Sequence, residues 1–127
     1  MPNTLTKSRA FILLAEVDQV DAVVARSSVQ PVLIFKHSRT CGTSAQAHEE
    51  VSTLLAGTLE APVYLVDVRS ARQVSNAIAQ RFGIRHESPQ VLLLAGGRVR
   101  WSASHYHVNE REILQALQAL AVTVPLS

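Results

Sequence analysis

Two short apolar segments constrain the fold of this chain more than any other feature of its sequence. They read PVLIFKH (residues 31–37) and APVYLVDV (61–68), and a proline introduces each of them. Uninterrupted apolar character rich in β-forming residues predicts strands that are covered on both faces. Between the two segments, four apolar residues recur at helical spacing: Ala47, Val51, Leu54 and Leu55. The sequence therefore predicts strand, helix and strand in an α/β domain, with the helix ending near Gly57.

The flanking residues continue this alternation. AFILLA (10–15) predicts a first short strand, and valines at 17, 20 and 24 predict a helix that begins near Glu16 and ends in RSSVQP. After the second apolar segment, Gly83 ends a further predicted helix. The apolar face of that helix consists of Val74, Ile78 and Phe82.

The C-terminal third of the sequence predicts a hairpin followed by a last helix. Two β-rich runs flank Gly96-Gly97, a strong signal for a two-residue turn. The last helix is predicted to open at Asn109, with Glu112 as a capping-box partner. The order β-α-β-α-β-α-β-β-α implies a mixed four- to five-stranded sheet with helices on both faces. We expect a flexible tail at residues 1–8 and a single domain over 9–127.

Composition excludes several classes of protein. Of 127 residues, 47% are hydrophobic and 17% charged, which favours a compact globule. Twelve basic and ten acidic residues are scattered, so no nucleic-acid-binding stripe is present. The N-terminal apolar run is soon interrupted by Glu16 and Asp18, so neither a signal peptide nor a membrane span is predicted. The single cysteine suits a reducing compartment, and we expect a cytoplasmic protein.

That cysteine, Cys41, lies between a predicted strand and a predicted helix, in the segment KHSRTCGTSAQ (36–46). Unpaired N–H groups and the positive end of the helix dipole favour a thiolate there. The basic residues Lys36, His37 and Arg39 precede it, and small polar neighbours such as Thr40 and Gly42 should leave the sulfur reachable. A buried structural cysteine is the alternative, but apolar neighbours would be expected in that case. We therefore predict a reactive thiol.

Other cysteine or histidine chemistries have less support. A thiol nucleophile with a histidine base would make a hydrolase, yet none of the five histidines stands at a recognisable spacing from Cys41. His48 is seven residues away, roughly 10 Å along a helix, which is too far to share one metal ion. His105 and His107 lack a third ligand. No metal site is predicted.

Ser44 stands three residues after Cys41, where a dithiol redox motif has its second cysteine. It is either an ordinary first-turn serine bonded to backbone or the replacement of a resolving cysteine. In the second case Cys41 forms a mixed disulfide that it cannot clear internally. A thiol from solution must then release it.

Together these features resemble the thioredoxin superfamily: a strand, a cysteine at a helix start, SP before the hairpin, and a closing helix. Taken alone, Pro89 is explained as the first residue of a strand, where it need not donate to the ladder. The resemblance implies more, namely that Pro89 is cis and that the Ser88-Pro89 step faces Cys41. Backbone groups of Ser88 would then pair with a thiol substrate.

Three segments, FKHSRTCGTSAQA, IAQRFGIRHESPQVLLL and WSASHYHV, resemble the YtxJ-type monothiol bacilliredoxin-like family of bacillithiol metabolism. The resemblance covers roughly residues 16–122. The family more often has arginine before the cysteine and proline after it, where this chain has Thr40 and Gly42. It implies a monothiol oxidoreductase whose Cys41 removes bacillithiol from proteins, with no bound cofactor. Its partners would be bacillithiolated proteins and free bacillithiol as the low-molecular-weight co-substrate.

The resemblance also predicts where bacillithiol lies. The chain leaving the second hairpin strand should return beside the cysteine, so Ser104 and His105 are predicted to bind the two carboxylates of the malate moiety. Two alternatives stay open. CGTS is similar to the CGFS motif of monothiol glutaredoxins that carry iron–sulfur clusters, although their other glutathione-binding patterns are not found. A non-enzymatic redox-responsive binding module is the second.

Overall fold

The computed structural model of the chain describes residues 10–39, 42–57 and 59–123. The predicted tail, residues 1–8, lies outside the described residues, and so do Thr40 and Cys41. The elements follow the predicted order, and they are β1 (Ile12–Leu13), α1 (Gln19–Ser27), β2 (Val32–His37), α2 (Gly42–Ala56), β3 (Val63–Asp67), α3 (Arg72–Phe82), β4 (Gln90–Ala95), β5 (Arg98–Ser104) and α4 (Glu110–Thr123).

The strands form one mixed five-stranded sheet in the order β1-β3-β2-β4-β5. Strands β1, β3 and β2 are parallel, whereas β4 and β5 are antiparallel to their neighbours. The two apolar segments singled out in the sequence are therefore β2 and β3, adjacent in the middle of the sheet. The predicted mixed sheet is confirmed.

Helices cover both faces of this sheet, as predicted. On one face, Leu33 and Phe35 of β2 pack with α2 and α4. On the other face, Val32 and Ile34 pack with α1 and α3. Because side chains alternate along a strand, consecutive residues of β2 enter different cores. This alternation decides the directions of Lys36 and His37 at the end of β2.

The predicted hairpin turn at Gly96-Gly97 is confirmed. Both glycines have positive φ, 64° and 80°, the conformation that a two-residue type I′ turn requires and that other residues rarely adopt. Both N–H groups are satisfied at the end of α1. Gly96 donates to the Ser27 carbonyl at 2.7 Å, and Gly97 donates to the Ser27 hydroxyl at 3.0 Å.

The first helix begins at Gln19, three residues later than the valine spacing predicts. The Gln19 side-chain oxygen accepts hydrogen bonds from the N–H groups of Ala15 and Glu16, at 3.1 and 3.0 Å. This local bond holds the preceding residues in a turn instead of a helix. Val17 is consequently 46% exposed and does not join the core.

The segment between β5 and α4 is a short 3₁₀ turn, His105–His107, which the sequence analysis did not predict. The predicted cap of the last helix is present, since Asn109 accepts from the Glu112 N–H at 2.9 Å. The Glu112 carboxylate returns to the Asn109 side-chain amide at 3.2 Å. None of the helices that the described residues form is long and apolar enough to cross a bilayer.

Candidate functional site

The loop that carries Cys41 leaves the carboxyl end of β2 and enters α2. Arg39 and Gly42 flank the two residues outside the described part of the chain, and Gly42 is the first residue of α2. The predicted strand-to-helix junction is therefore present around Cys41. Gly42 is exposed, and a Cβ built on it would meet nothing within 4 Å. The open space around Gly42 does not explain why this chain has glycine where the family that it resembles more often has proline.

Ser44 is completely buried in the first turn of α2. Its hydroxyl accepts a hydrogen bond from the Ser38 N–H at 3.3 Å. This bond ties the end of β2 to the helix start, so it holds the two ends of the Cys41 loop together. Ser44 thus has the backbone-bonding role expected of a first-turn serine, at the buried position where a resolving cysteine would stand.

Lys36 lies on the α3 side of the sheet and is completely buried. Its Nζ donates to the Ser75 carbonyl at 3.1 Å and lies 3.4 Å from Nδ1 of His86. Desolvation by burial lowers the pKa of Lys36 from 10.5 to about 8. A mainly charged ammonium group at neutral pH is thus buried without a carboxylate among its described partners.

His86 connects Lys36 to α3. Its Nδ1 lies 3.0 Å from the Ser75 hydroxyl as well as close to the ammonium group. Burial and the charges of Lys36 and Arg72 lower the pKa of His86, so the ring is neutral at pH 7. Because an ammonium group can only donate, Nδ1 accepts and the ring proton is on Nε2.

His37 points to the opposite face, toward α2. Its ring centroid lies 5.7 Å from that of Phe35 and 4.8 Å from that of His48. Burial lowers the pKa of His37, and His48 lowers it further. His37 is therefore neutral at pH 7 and does not supply the positive charge expected of it. Within the described part of the chain, no three metal-ligating side chains come together.

Arg39 is the remaining basic residue before Cys41. It is exposed, and its Nε lies 3.8 Å from Oδ2 of Asp67 at the end of β3. The other Asp67 oxygen accepts from the N–H groups of Arg69 and Ser70 at 3.0 and 3.4 Å. Burial alone would raise the pKa of Asp67, but these hydrogen bonds and the charge of Arg39 lower it. Asp67 is consequently a fully ionised group with its own partners.

The Pro89 loop reaches the same edge of the sheet. Lys36 of β2 pairs with Gln90 of β4, so Pro89 precedes β4 where the Cys41 loop leaves β2. The Ser88-Pro89 peptide bond is cis, the geometry that the resemblance implies. The Ser88 Oγ is buried, and it has no hydrogen-bond partner among the described residues.

Ser104 and His105, predicted to hold carboxylates, lie at this edge and already contact one. The His105 Nε2 lies 2.9 Å from Oε1 of Glu87. A hydrogen bond from the Ser104 side chain is the main cause that lowers the pKa of Glu87, and His105 adds to it. The His105 N–H donates to the Pro89 carbonyl at 2.9 Å. Both side chains are thus engaged by an acidic group of the chain itself.

A polar cavity of about 340 Å³ lies on the other side of the Pro89 loop. Ser38 and Ser88 line one side of it, and Arg69, Arg72 and His86 contribute basic or polar groups. The sequence analysis missed these three residues. Arg69 and Arg72 follow the carboxyl end of a predicted parallel strand, where binding sites of α/β sheets form, and that signal was available.

Comparisons with known proteins agree with this architecture. The chain is similar to a solved protein with a thioredoxin fold, at 30% identity and a TM-score of 0.75, over 84% of this chain and 92% of that one. A mutant thioredoxin from Halobacterium salinarum matches at 20% identity and a TM-score of 0.73, over 94% and 98% of the two chains. The thioredoxin of Fasciola hepatica matches at 15% and 0.69, over 86% and 98%. The predicted thioredoxin-like fold is confirmed.

The family comparison is more specific. Residues 12–113 match the model of the family described as monothiol bacilliredoxin BrxC. With the thioredoxin fold and one cysteine in the sequence, this match supports a thiol redox function. The chain belongs to the monothiol bacilliredoxin BrxC family.

Proposed function

We propose that this protein removes bacillithiol from mixed disulfides on other proteins, with Cys41 as the nucleophile. The observation that carries the proposal is Ser44, which occupies the resolving position, is completely buried, and bonds to the Ser38 N–H. The chain has no second cysteine. A disulfide formed on Cys41 must therefore be cleared by a thiol from outside the chain, and the family match makes bacillithiol the favoured thiol.

The reaction has two exchanges. In the first, the Cys41 thiolate attacks the bacillithiol sulfur of the modified protein, a new Cys41–bacillithiol disulfide forms, and the target cysteine leaves as a thiolate that takes up a proton. In the second, the thiolate of free bacillithiol attacks the bacillithiol sulfur on Cys41. Cys41 thiolate is released and bacillithiol disulfide is the other product. No net electrons enter from any further cofactor in these two steps.

The neighbouring residues have separate roles in this scheme. The start of α2 stabilises the Cys41 thiolate through its unpaired N–H groups. The backbone of Ser88, next to Pro89, is suited to pair with the backbone of an incoming target. A single reactive thiol that must stay reduced also fits a cytoplasmic protein.

The proposal is tested by following the bacillithiol mass. A model protein with one bacillithiolated cysteine is mixed with wild-type chain, Cys41→Ser or Ser44→Ala, and intact masses are recorded over time. The wild type should take up one bacillithiol as a Cys41–bacillithiol adduct, and free bacillithiol added afterwards should return Cys41 to its thiol form. Cys41→Ser should leave the model protein modified, and Ser44→Ala should react. Equal removal by wild type and Cys41→Ser contradicts the proposal.

A second variant tests the role of the resolving position. Ser44→Cys places a second thiol three residues after Cys41 in the first turn of α2, and we expect it to close an internal disulfide under mild oxidation. Thiol counting should then find both thiols lost, and release of bacillithiol from Cys41 should no longer need free bacillithiol. Persistence of both thiols means that the two side chains do not meet at the helix start.

A further inference from the structure

The cavity between α3 and the Pro89 loop is electropositive and lacks an acidic lining residue. Arg69 and Arg72 line it, and neither guanidinium group has a carboxylate within 4 Å among the described residues. The ammonium group of Lys36 lies beneath it, bonded to the carbonyl of Ser75, another lining residue. Arg69 and Arg72 are exposed, but they border the same cavity as the buried Lys36, and cations grouped around one cleft attract an anion more strongly than scattered surface charges do.

The nearest acidic groups do not neutralise this cavity. Asp67 precedes Arg69 by two residues, but it accepts from backbone N–H groups and lies beside Arg39. Glu87 precedes Ser88 and contacts His105 on the far side of the loop, and it acts on His86 of the cavity only through its charge, which raises the pKa of His86. Both carboxylates thus have other direct partners. Arg69 and Arg72 are left without an ion pair among the described residues and are open to an anion from outside the chain.

The cavity also offers neutral donors. Ser88 lines the cavity, and its Oγ is buried without a hydrogen-bond partner among the described residues, so that turning the side chain toward the cavity would break no hydrogen bond seen there. The His86 ring holds its proton on Nε2, since Nδ1 accepts from Lys36 and Ser75. A hydroxyl, an imidazole N–H and two guanidinium groups form a donor set suited to carboxylate oxygens.

We propose that this cavity binds the carboxylate groups of the low-molecular-weight thiol that exchanges with Cys41, an inference that rests on the proposed function. Arg69 and Arg72 contact the carboxylates and Ser88 adds a hydroxyl donor. Lys36 acts from below through its charge. The site therefore selects thiols with acidic groups, and it does so on the opposite side of the Pro89 loop from Ser104 and His105.

The cavity has the size for a small molecule that takes part in exchange at Cys41. Ser38 lines the cavity and stands three residues before Cys41 in the sequence. A volume of about 340 Å³ falls in the range of small-molecule sites.

Carboxylates could also come from acidic side chains of the target protein, and the experiment separates the two sources. Four peptide disulfides are prepared from one neutral and one acidic peptide, each joined to bacillithiol or to the neutral thiol β-mercaptoethanol. Wild type, Arg69→Gln/Arg72→Gln and the charge-matched control Arg26→Gln/Arg98→Gln are compared by kcat/KM. Arg26 and Arg98 are exposed and lie at the hairpin end of the sheet, away from the cavity.

The cavity variant should lose about tenfold in kcat/KM with both bacillithiol disulfides and less than twofold with both β-mercaptoethanol disulfides. The control should change less than twofold throughout. Arg69→Lys/Arg72→Lys keeps the positive charge. This variant should recover at least half of the lost kcat/KM with bacillithiol disulfides, measured on a logarithmic scale. If the arginines only supported the fold, their charge alone would not restore the rate. Circular dichroism melts verify that each variant is folded before it is assayed.

Three outcomes overturn the inference. Equal loss with bacillithiol and β-mercaptoethanol means that Cys41 itself is disturbed, and no loss with either means that the cavity is not used. Loss confined to the acidic peptide assigns the cavity to the target protein. Failure of the proposed function looks different, because wild type would then remove bacillithiol no faster than Cys41→Ser from any peptide.

Discussion

The two sides of the Pro89 loop differ in whether their donor and charged groups have acidic partners within the chain. On the β5 side, Ser104 and His105 donate to Glu87, so that the donors of this side are satisfied within the chain. On the α3 side, Arg69 and Arg72 have no such partner, and the buried ammonium group of Lys36 adds to their charge. Arg69 and Arg72 are exposed, but Lys36 is buried, and a buried charge without a partner destabilises the fold. We therefore expect an external anion on the α3 side, and none on the β5 side.

Lys36 gives the largest expected effect, and it is on stability. Lys36→Met should raise the free energy of unfolding at pH 7 by about 1–3 kcal/mol, because a buried cation without a carboxylate is replaced by an apolar chain of similar length. Urea denaturation measures this change. Removal of bacillithiol should slow in the same variant, so that stability and activity move in opposite directions. If Lys36→Met were less stable than wild type, the claim that the unpaired charge of Lys36 destabilises the fold would be contradicted.

The pH dependence of this effect has a definite sign. The pKa of Lys36 is about 8 in the folded chain and 10.5 in the unfolded chain, so the unfolded chain binds more protons between these values. The destabilising effect is complete below pH 8 and disappears as the pH rises through this window. Wild type should therefore gain stability relative to Lys36→Met between pH 8 and 10.5. The exposed-site control Arg26→Met should stay within about 0.5 kcal/mol of wild type at pH 7.

A substitution of Glu87 reduces the difference in charge between the β5 side and the α3 side of the Pro89 loop. Hydrogen bonding by Ser104 and the neighbouring His105 lower the pKa of Glu87, so its carboxylate is charged at neutral pH. Glu87→Gln removes that charge, and the amide oxygen in its place accepts hydrogen bonds from Ser104 and His105 less strongly than the carboxylate does. We expect removal of bacillithiol to accelerate about threefold, with β-mercaptoethanol exchange unchanged, as measured by kcat/KM. Slower removal would mean that Glu87 is needed for the shape of the loop.

The smallest effect is expected from Ser104 and His105, on the β5 side of the Pro89 loop. Ser104→Ala/His105→Ala should slow removal of bacillithiol about twofold, because Glu87 already occupies both donors. Alkylation of Cys41 by a small neutral reagent should stay unchanged. If the loss instead exceeded that of Arg69→Gln/Arg72→Gln, the carboxylates would belong on the β5 side. Equal slowing of exchange and alkylation would indicate a disturbed cysteine.

The fold was largely predictable because its signals are periodic and local. The apolar runs of β2 and β3, the Gly96-Gly97 turn and the Asn109 cap each follow from residues close together in sequence. The start of α1 was not, because the Gln19 side chain competes with the helix for backbone N–H groups. Local side-chain bonds of this kind leave no trace in hydrophobic spacing.

The candidate site was predictable only in part. Alternation along β2 places Lys36 and His37 on opposite faces, and the strand pattern already implied this. The burial of Lys36 did not follow, because it depends on α3 and on His86, 50 residues away in sequence. The contact of His105 with Glu87 did not follow either, because it joins residues 18 positions apart, and His105 has a left-handed backbone, with φ of 57°, which its sequence neighbours do not predict.

The central claim is that Cys41 exchanges with an acidic thiol from solution, and its adduct tests this most directly. The protein is isolated from its own cells after a brief oxidant pulse, with free thiols blocked, and its intact and peptide masses are measured. We predict a mixed disulfide on Cys41 with a carboxylate-bearing low-molecular-weight thiol of the mass of bacillithiol, released by added bacillithiol. An unmodified Cys41, or one joined only to a thiol without carboxylates while other proteins in the same cells carry bacillithiol, would contradict the account.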